Sequence, residues 1–335
     1  MGKNLPAKKY TMGEPTHRHL RYILDHTVTD GMANNDSHFI DLALGLSAVN
    51  RRAYRQGLYY YVNSVTVHDS NQNVWTKFAT AADTWYTKQA WIRGFRAWSK
   101  MNSEAVESGD DLDIAGQYSD FKIWLSENHY DNNDGGFGNL LVPIGSQDYN
   151  NAVGQWSGNF FDVNTDFIQQ FAIDHWDYSK FNHLGNDHYI TLFGEHQAVG
   201  GGSSNPPRYS LMKGYGDTRR SVPDEDPILP EEISTDLLAV MFEGNVSQTE
   251  DVIENLENQN DGAPYHNDYY GIQETVIVSQ TANSGGAGAV TRAPGFVVPF
   301  GLLEIITNSS QEGKVEVVIE LAAGKYNGVA AARVC

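Results

Sequence analysis

Short runs of alternating apolar and polar residues, separated by Asn, Asp, Gly and Pro, recur along most of this chain and predict an antiparallel β protein. In 55–69 (RQGLYYYVNSVTVHD), Tyr59, Tyr61, Val65 and Val67 share one parity and are aromatic or β-branched, as a half-buried strand requires. Asn63 interrupts that face, so a bulge or short turn is expected there. Between 117 and 196, runs such as YSDFKIWL, NLLVPI and HYITLFGEH alternate with turn-rich loops, the signature of an antiparallel sandwich or barrel rather than a parallel sheet. Strands return at 271–280, 296–308, 314–324 and 326–334; Val315, Val317 and Ile319 alternate there with Glu316, Val318 and Glu320, predicting one dry and one wet face.

Helical periodicity is confined to a few places. Trp91, Ile92, Phe95 and Trp98 lie on one face of a helix predicted over 83–101, which Asp83 or Thr84 can cap, with Lys88, Arg93, Arg96 and Lys100 mostly outside the aromatic stripe. A basic helix lined with tryptophan can stack nucleic-acid bases, but such side chains more often pack a helix onto a sheet. Over 206–261 five prolines punctuate two short predicted helices, one bearing Leu237, Leu238, Met241 and Phe242, the other opening on the capping-box pattern Ser247–Glu250. Residues 1–35 read as an extended arm with a short amphipathic element at 20–24.

Charge adds a division to this pattern. Of a net −19, residues 1–100 carry 13 Lys and Arg against 7 Asp and Glu, whereas no Lys or Arg occurs between Arg220 and Arg292. A basic beginning and an acidic body suggest two faces with different neighbours. Hydrophobic residues at 40% and aromatics at 12% supply a core and argue against whole-chain disorder. No apolar run is long enough for a membrane span, and no signal peptide is expected behind the polar N-terminus. The single cysteine, Cys335, provides neither an internal disulfide nor a metal cluster.

Catalytic signatures fail one by one. There is no G-x-S-x-G elbow, no phosphate-binding G-x-x-x-x-G-K loop and no H-E-x-x-H. The densest metal-like group is Asp174, His175 and Asp177 with His183, Asp187, His188 and His196, without a strong ligand spacing. The loop 131–136 hints at calcium, but Val142 stands where a bidentate glutamate belongs. No catalytic, cofactor-binding or metal-binding residue is nominated, and an enzyme is not expected.

The closing runs PGFVVPFGLLEII, KVEVVIELAAG and KYNGVAAARV, with the early RRAYRQGLYYYVNSVTVHD and its following aromatic helix, resemble viral jelly-roll capsid proteins. The likeness covers about a third of the chain and is most similar to the double jelly-roll subunits of tailless icosahedral bacteriophages, often with an internal membrane. It implies a mainly β fold of antiparallel jelly-roll barrels, two of them, with short helical insertions. The corresponding division is an arm at 1–35, a first β-barrel region at 36–200 with the helix at 83–101, an acidic helical connector at 201–265, and the closing strands of a second barrel at 266–335. It further implies a non-enzymatic major capsid protein of the virion, made in the host cytoplasm, that assembles as a homotrimer into a shell. Its partners would be itself, other virion proteins and an internal membrane or the viral genome. A single jelly roll with helical insertions, a carbohydrate-binding β-sandwich and a β-sandwich hydrolase are the alternatives.

Overall fold

Among the described residues, four principal strands run out and four return, each returning strand pairing with its counterpart on the way out. A computed structural model describes residues 15–26, 28–29, 32–50, 52–69, 74–108, 120–130, 140–141, 143, 178–183, 186–196, 207–220, 275–282, 289–309 and 313–334. The outgoing strands are β1 (His19–His26), β3 (Met32–Asp41), β4 (Leu58–Asp69) and β5 (Trp75–Ala81), with a two-residue β2 (Val28–Thr29) beside β3. The returning strands are β10 (Thr275–Ala282), β11 (Val290–Val298), β12 (Leu302–Ser309) and β13 (Gly313–Leu321). β5 pairs with β10, β4 with β11, β3 with β12 and β1 with β13, all antiparallel. Further β13–β4 and β12–β5 pairings gather the eight into two sheets, ordered β1-β13-β4-β11 and β10-β5-β12-β3. The protein is therefore mainly β, built on two antiparallel sheets.

The faces of these sheets follow from side-chain parity. On β13, Val315, Val317, Ile319 and Leu321 are fully buried, and the intervening Glu316 and Glu320 point outward, as the alternation predicts. Leu20, Tyr22 and Leu24 of β1 meet them with no exposed surface. Residues 19–26 and 32–35 are thus strands of the sandwich, and the expected arm at 1–35 is corrected accordingly. The amphipathic pattern at 20–24 has a period of two, and the partner that makes it a strand lies 301 residues away at His19↔Glu320.

β4 also corrects an expectation of parity. Tyr60 and Val62 face the core between the sheets, as do Val65 and Val67, so the inward set changes parity partway along the strand. The change occurs at Asn63, where β13 skips a residue between Glu320↔Ser64 and Leu321↔Val62. The anticipated interruption is therefore a β-bulge, and it turns Tyr61 outward and Tyr59 toward a second core. On β11, Gly295 lies between Pro294↔Ser64 and Phe296↔Val62, so it faces the bulge; any Cβ there would press on the carbonyl oxygens of Val62 and Asn63.

The returning strands share sheets with 19–81, so the described part of 266–335 closes that same sandwich rather than a separate barrel. The described residues between β5 and β10 form a layer beside it. They comprise α2 (Trp85–Ser108), the short α3 (Glu127–Tyr130), β6 (Leu140–Leu141, parallel to β3), β7 (Lys180–His183), β8 (Asn186–Thr191), β9 (Arg208–Ser210) and α4 (Leu211–Arg220). β7, β8 and β9 make a small sheet, and residue 124 bridges to Thr191 beside it. Of the expected acidic connector 201–265, β9 and α4 are described; 221–265 lies outside the described residues, as do the expected strands at 152–173 and the loop 131–136.

This layer joins the sandwich through a buried polar hub. α1 (Leu42–Asn50) begins at Asp41, whose Oδ1 accepts hydrogen bonds from the amides of Ala43 and Leu44 at 2.9 and 3.2 Å. Oδ2 accepts from Gln56 Nε2 at 2.9 Å and from the Tyr178 hydroxyl at 3.3 Å. Gln56 in turn accepts from the Ile123 amide at 2.6 Å and donates to its carbonyl at 3.0 Å. One carboxylate and one amide thereby satisfy groups from α1, the loop before β4 and the inserted layer, none of which can reach water.

Gly295→Ala tests the bulge. The added methyl must displace strand backbone rather than a flexible side-chain end, so urea denaturation is expected to show a loss of about 2–3 kcal/mol. Val290→Ala, on the exposed start of the same strand, is expected to stay within about 0.5 kcal/mol of the parent.

Candidate assembly surface

β10 and β11 are the terminal strands of their sheets among the described residues, and they approach each other along one edge of the sandwich. That edge is apolar. Val276, Ile277 and Val278 of β10 are 38%, 47% and 39% exposed, and Val290 of β11 is 58% exposed. Three consecutive exposed aliphatics depart from strand alternation because β10 bulges at 278, between Ile277↔Ala79 and Ser279↔Phe78. Arg292 is the one charged residue in β10 and β11; it turns toward Ser64 Oγ at 2.8 Å and Glu320 at 3.6 Å on the outer sheet face. Soluble proteins blunt such edges with charge, and this one has valine and isoleucine instead.

At one end the edge opens into a groove of about 620 Å³ lined by Tyr59, Tyr61, Val276, Val278, Val297 and Pro299, among others. Its polar end is already balanced. The Tyr59 hydroxyl donates to Asp83 Oδ1 at 2.6 Å, and Lys88 Nζ lies 2.9 Å from the same oxygen. Burial, reinforced by the hydrogen bond to Asp83, pushes the Tyr59 hydroxyl up to about 12. Burial also raises the Asp83 carboxyl, but the bonds from Tyr59 and Lys88 outweigh it and hold the group below its ordinary range. A phenol, a carboxylate and an ammonium that satisfy one another leave the apolar wall as the part that can drive association.

The aromatic helix has a packing role. Thr84 Oγ1 accepts from the Thr87 amide at 3.1 Å, so Thr84 is the cap of α2 and Asp83 is committed to Tyr59 and Lys88. Trp91 stacks on Phe95 at 5.5 Å and lies against Phe121 and Phe300 at 5.6 and 5.9 Å. Gly57, at φ 79°, takes the six-membered ring of Trp91 where a Cβ would stand. Trp98 packs on Phe121 at 5.5 Å. Phe300 reaches this cluster from the tight turn between β11 and β12 with φ 59°, a left-handed conformation a phenylalanine adopts only at a cost of about 1–3 kcal/mol.

Of the residues considered for a metal, Asp187, His188 and His196 are described with their side chains, and each is engaged separately. His196 Nδ1 accepts from the Ser210 amide at 3.1 Å and its ring stacks on Tyr209 at 4.4 Å. Asp187 pairs with Lys180 and Asn182, and His188 Nδ1 lies 3.3 Å from the Asn186 carbonyl. Asp174, His175, Asp177 and the side chain of His183 lie outside the described residues; among those described, no group of three or more His, Cys, Asp or Glu is arranged to hold a metal ion. Comparison of the chain with protein-family models, curated proteins and solved structures found no match.

His129, which the sequence reading did not single out, is a buried titratable group of this layer. Its ring stacks on Phe39 at 4.8 Å and meets Trp124 edge-on at 4.9 Å, and Nδ1 accepts from the Leu125 amide at 3.0 Å. Burial pushes its pKa down to about 3, so the ring is neutral in the fold. An unfolded histidine titrates near 6.5 and therefore binds a proton first as pH falls. Stability tied to this ring is complete above about pH 6.5 and is lost as pH drops toward about 3. His129→Asn keeps an acceptor for the Leu125 amide without that titration; melting temperatures between about pH 7 and pH 4 should fall less steeply in the variant than in the parent.

Proposed function

We propose that this chain is the major capsid subunit of an icosahedral shell, a structural protein that assembles with copies of itself in the virion after synthesis in the host cytoplasm. The observation that carries this reading is the strand order. Described strands that run four out and four back, in sheets ordered β1-β13-β4-β11 and β10-β5-β12-β3, support a jelly-roll reading. One such barrel, with a large insertion between its fourth and fifth strands, favours the single jelly roll over the double one, since the eight principal strands are used within one sandwich.

A jelly roll also serves lectins and cupins, so topology alone does not choose among functions. Here the interior is filled by Tyr22, Ile40, Phe78, Ile305, Val317 and Ile319, all fully buried, where a cupin would hold polar ligands for a metal. The exposed aliphatic edge favours a partner with matching apolar surface. A second copy of the chain supplies one without any further component, and a closed symmetric assembly hides every such edge. A trimer is the building unit expected by resemblance; other virion proteins, with a membrane or genome inside, complete the proposed partners.

The test is particle size. Light scattering after size exclusion, with negative-stain images, should show a symmetric oligomer or shell whose contacts bury more than about 1,000 Å². Val276→Lys with Val278→Lys is expected to yield a monomer of unchanged melting temperature, because both side chains are already exposed. A monodisperse wild-type monomer at every salt and pH would sink the proposal, and saccharide binding by that monomer would establish the carbohydrate-binding alternative.

A further inference from the structure

α2 and α4 enclose, with the small sheet, a cleft of about 770 Å³ on a part of the molecule remote in sequence from the apolar edge. Its size falls within the roughly 300–1,000 Å³ of ligand-binding clefts. Ala97, Met101, Phe181 and Leu211 give it apolar walls, and Arg93 and Arg96 stand in its lining with exposed guanidinium groups. Arg93 lies over the Tyr215 ring at 5.1 Å, which holds its charge at the cleft without neutralising it. Among the described residues, no carboxylate lines the cleft and none forms an ion pair with either arginine. The sequences of the two helices share this sign: α2 and α4 together contain seven Lys and Arg against three Asp and Glu, in a chain of net charge −19.

The matching chemistry is an apolar stretch studded with carboxylates, and the chain contains one. Residues 224–261 carry twelve Asp and Glu and no Lys or Arg. Within them, Leu237, Leu238, Met241 and Phe242 are flanked by Glu231, Glu232, Asp236 and Glu243. Apolar side chains can enter the cleft while carboxylates meet the two guanidiniums, a pairing geometry that arginine favours over lysine. A nucleic acid would satisfy the arginines through phosphate but would leave the aliphatic walls of Ala97, Met101 and Leu211 poorly covered.

We infer that the α2–α4 cleft receives the acidic stretch 231–243 of a second copy of this chain. The inference rests on the proposed self-assembly and names one of its contacts. Every subunit carries both the cleft and the stretch, so the contact is head-to-tail and closes a ring whenever the rotation between copies closes.

Charge reversal and complementation test it on the full-length chain. Arg93→Glu with Arg96→Glu should lower the assembled fraction by about tenfold, measured by sedimentation velocity, with an unchanged melting temperature because both side chains are exposed. The neutral pair Arg93→Gln and Arg96→Gln, which introduces no new charge, should give a smaller loss in the same direction. Glu231→Lys, Glu232→Lys and Asp236→Lys together should impair assembly similarly. Mixing the two reversed proteins should restore mixed oligomers containing both, since each then meets an opposite charge on the other.

Recovery only when all five reversals are placed in one chain would mean that the stretch pairs with its own cleft, and would overturn the second-copy assignment. Bound nucleic acid lost on reversal, with no recovery on mixing, would overturn it in favour of a polyanion. Normal assembly of the arginine variants would remove this contact and leave the assembly reading standing. A wild-type chain that never assembles would end both.

Discussion

Two strands of one sheet are buried on both faces at the end where they meet the inserted layer, and the relation between the sandwich and that layer depends on them. On β3, Ile40 faces the core between the sheets while Phe39 faces the second core; on β12, Leu303 and Leu302 divide in the same way. A sheet face that would otherwise be wet is therefore covered, and the covering layer can dock only where Phe39, Ala81, Phe300 and Leu302 present apolar surface. Asp41 and Gln56 add direction to this contact. Their hydrogen bonds to Tyr178 and Ile123 are satisfied in one placement of the layer and lost in others, so burial supplies the attraction and the polar hub selects the register.

The parts of the fold legible from sequence are those whose pattern is local. The alternation at 313–321, the tryptophan face of α2 and the irregularity at Asn63 each follow from residues within a few positions of one another. The direction in which Tyr59, Tyr60 and Tyr61 point was not legible, because an aromatic at every position satisfies either parity. Val62 and the bulge decide it, and the bulge is defined by strands more than 220 residues later. The strand at 19–26 was obscured for the same reason. Eight residues containing Leu20, Tyr22 and Leu24 are too few to distinguish an amphipathic arm from an edge strand until β13 is laid beside them.

The candidate surface shows a similar division. TVIVSQ reads correctly as strand, and its lack of charge is plain in the sequence. That it terminates a sheet is a property of strand order, which no local pattern encodes. The histidine group illustrates the opposite case, where proximity in sequence suggested a site. Asp187, His188 and His196 fall within 10 residues, yet their described contacts go to Asn182, Lys180, Asn186 and the Ser210 amide. Strand alternation sends neighbours to opposite faces, so a cluster in sequence becomes a cluster in space only when its spacing matches the period.

The apolar edge and the basic cleft differ in the physics by which they would bring two chains together. The edge has no charge to orient an incoming partner, and its attraction acts only once surfaces touch and water leaves. The cleft has the reverse character: two exposed guanidiniums attract an acidic stretch across roughly one Debye length, about 8 Å at physiological ionic strength, and their planar forks restrict the angle of approach. A chain of net charge −19 repels its copies at longer range, so contact through the edge alone must work against that repulsion. The α2–α4 face is a place where the repulsion changes sign. Attraction there can set the orientation in which two copies meet, and burial of Val276, Ile277 and Val278 can then supply the larger share of the affinity.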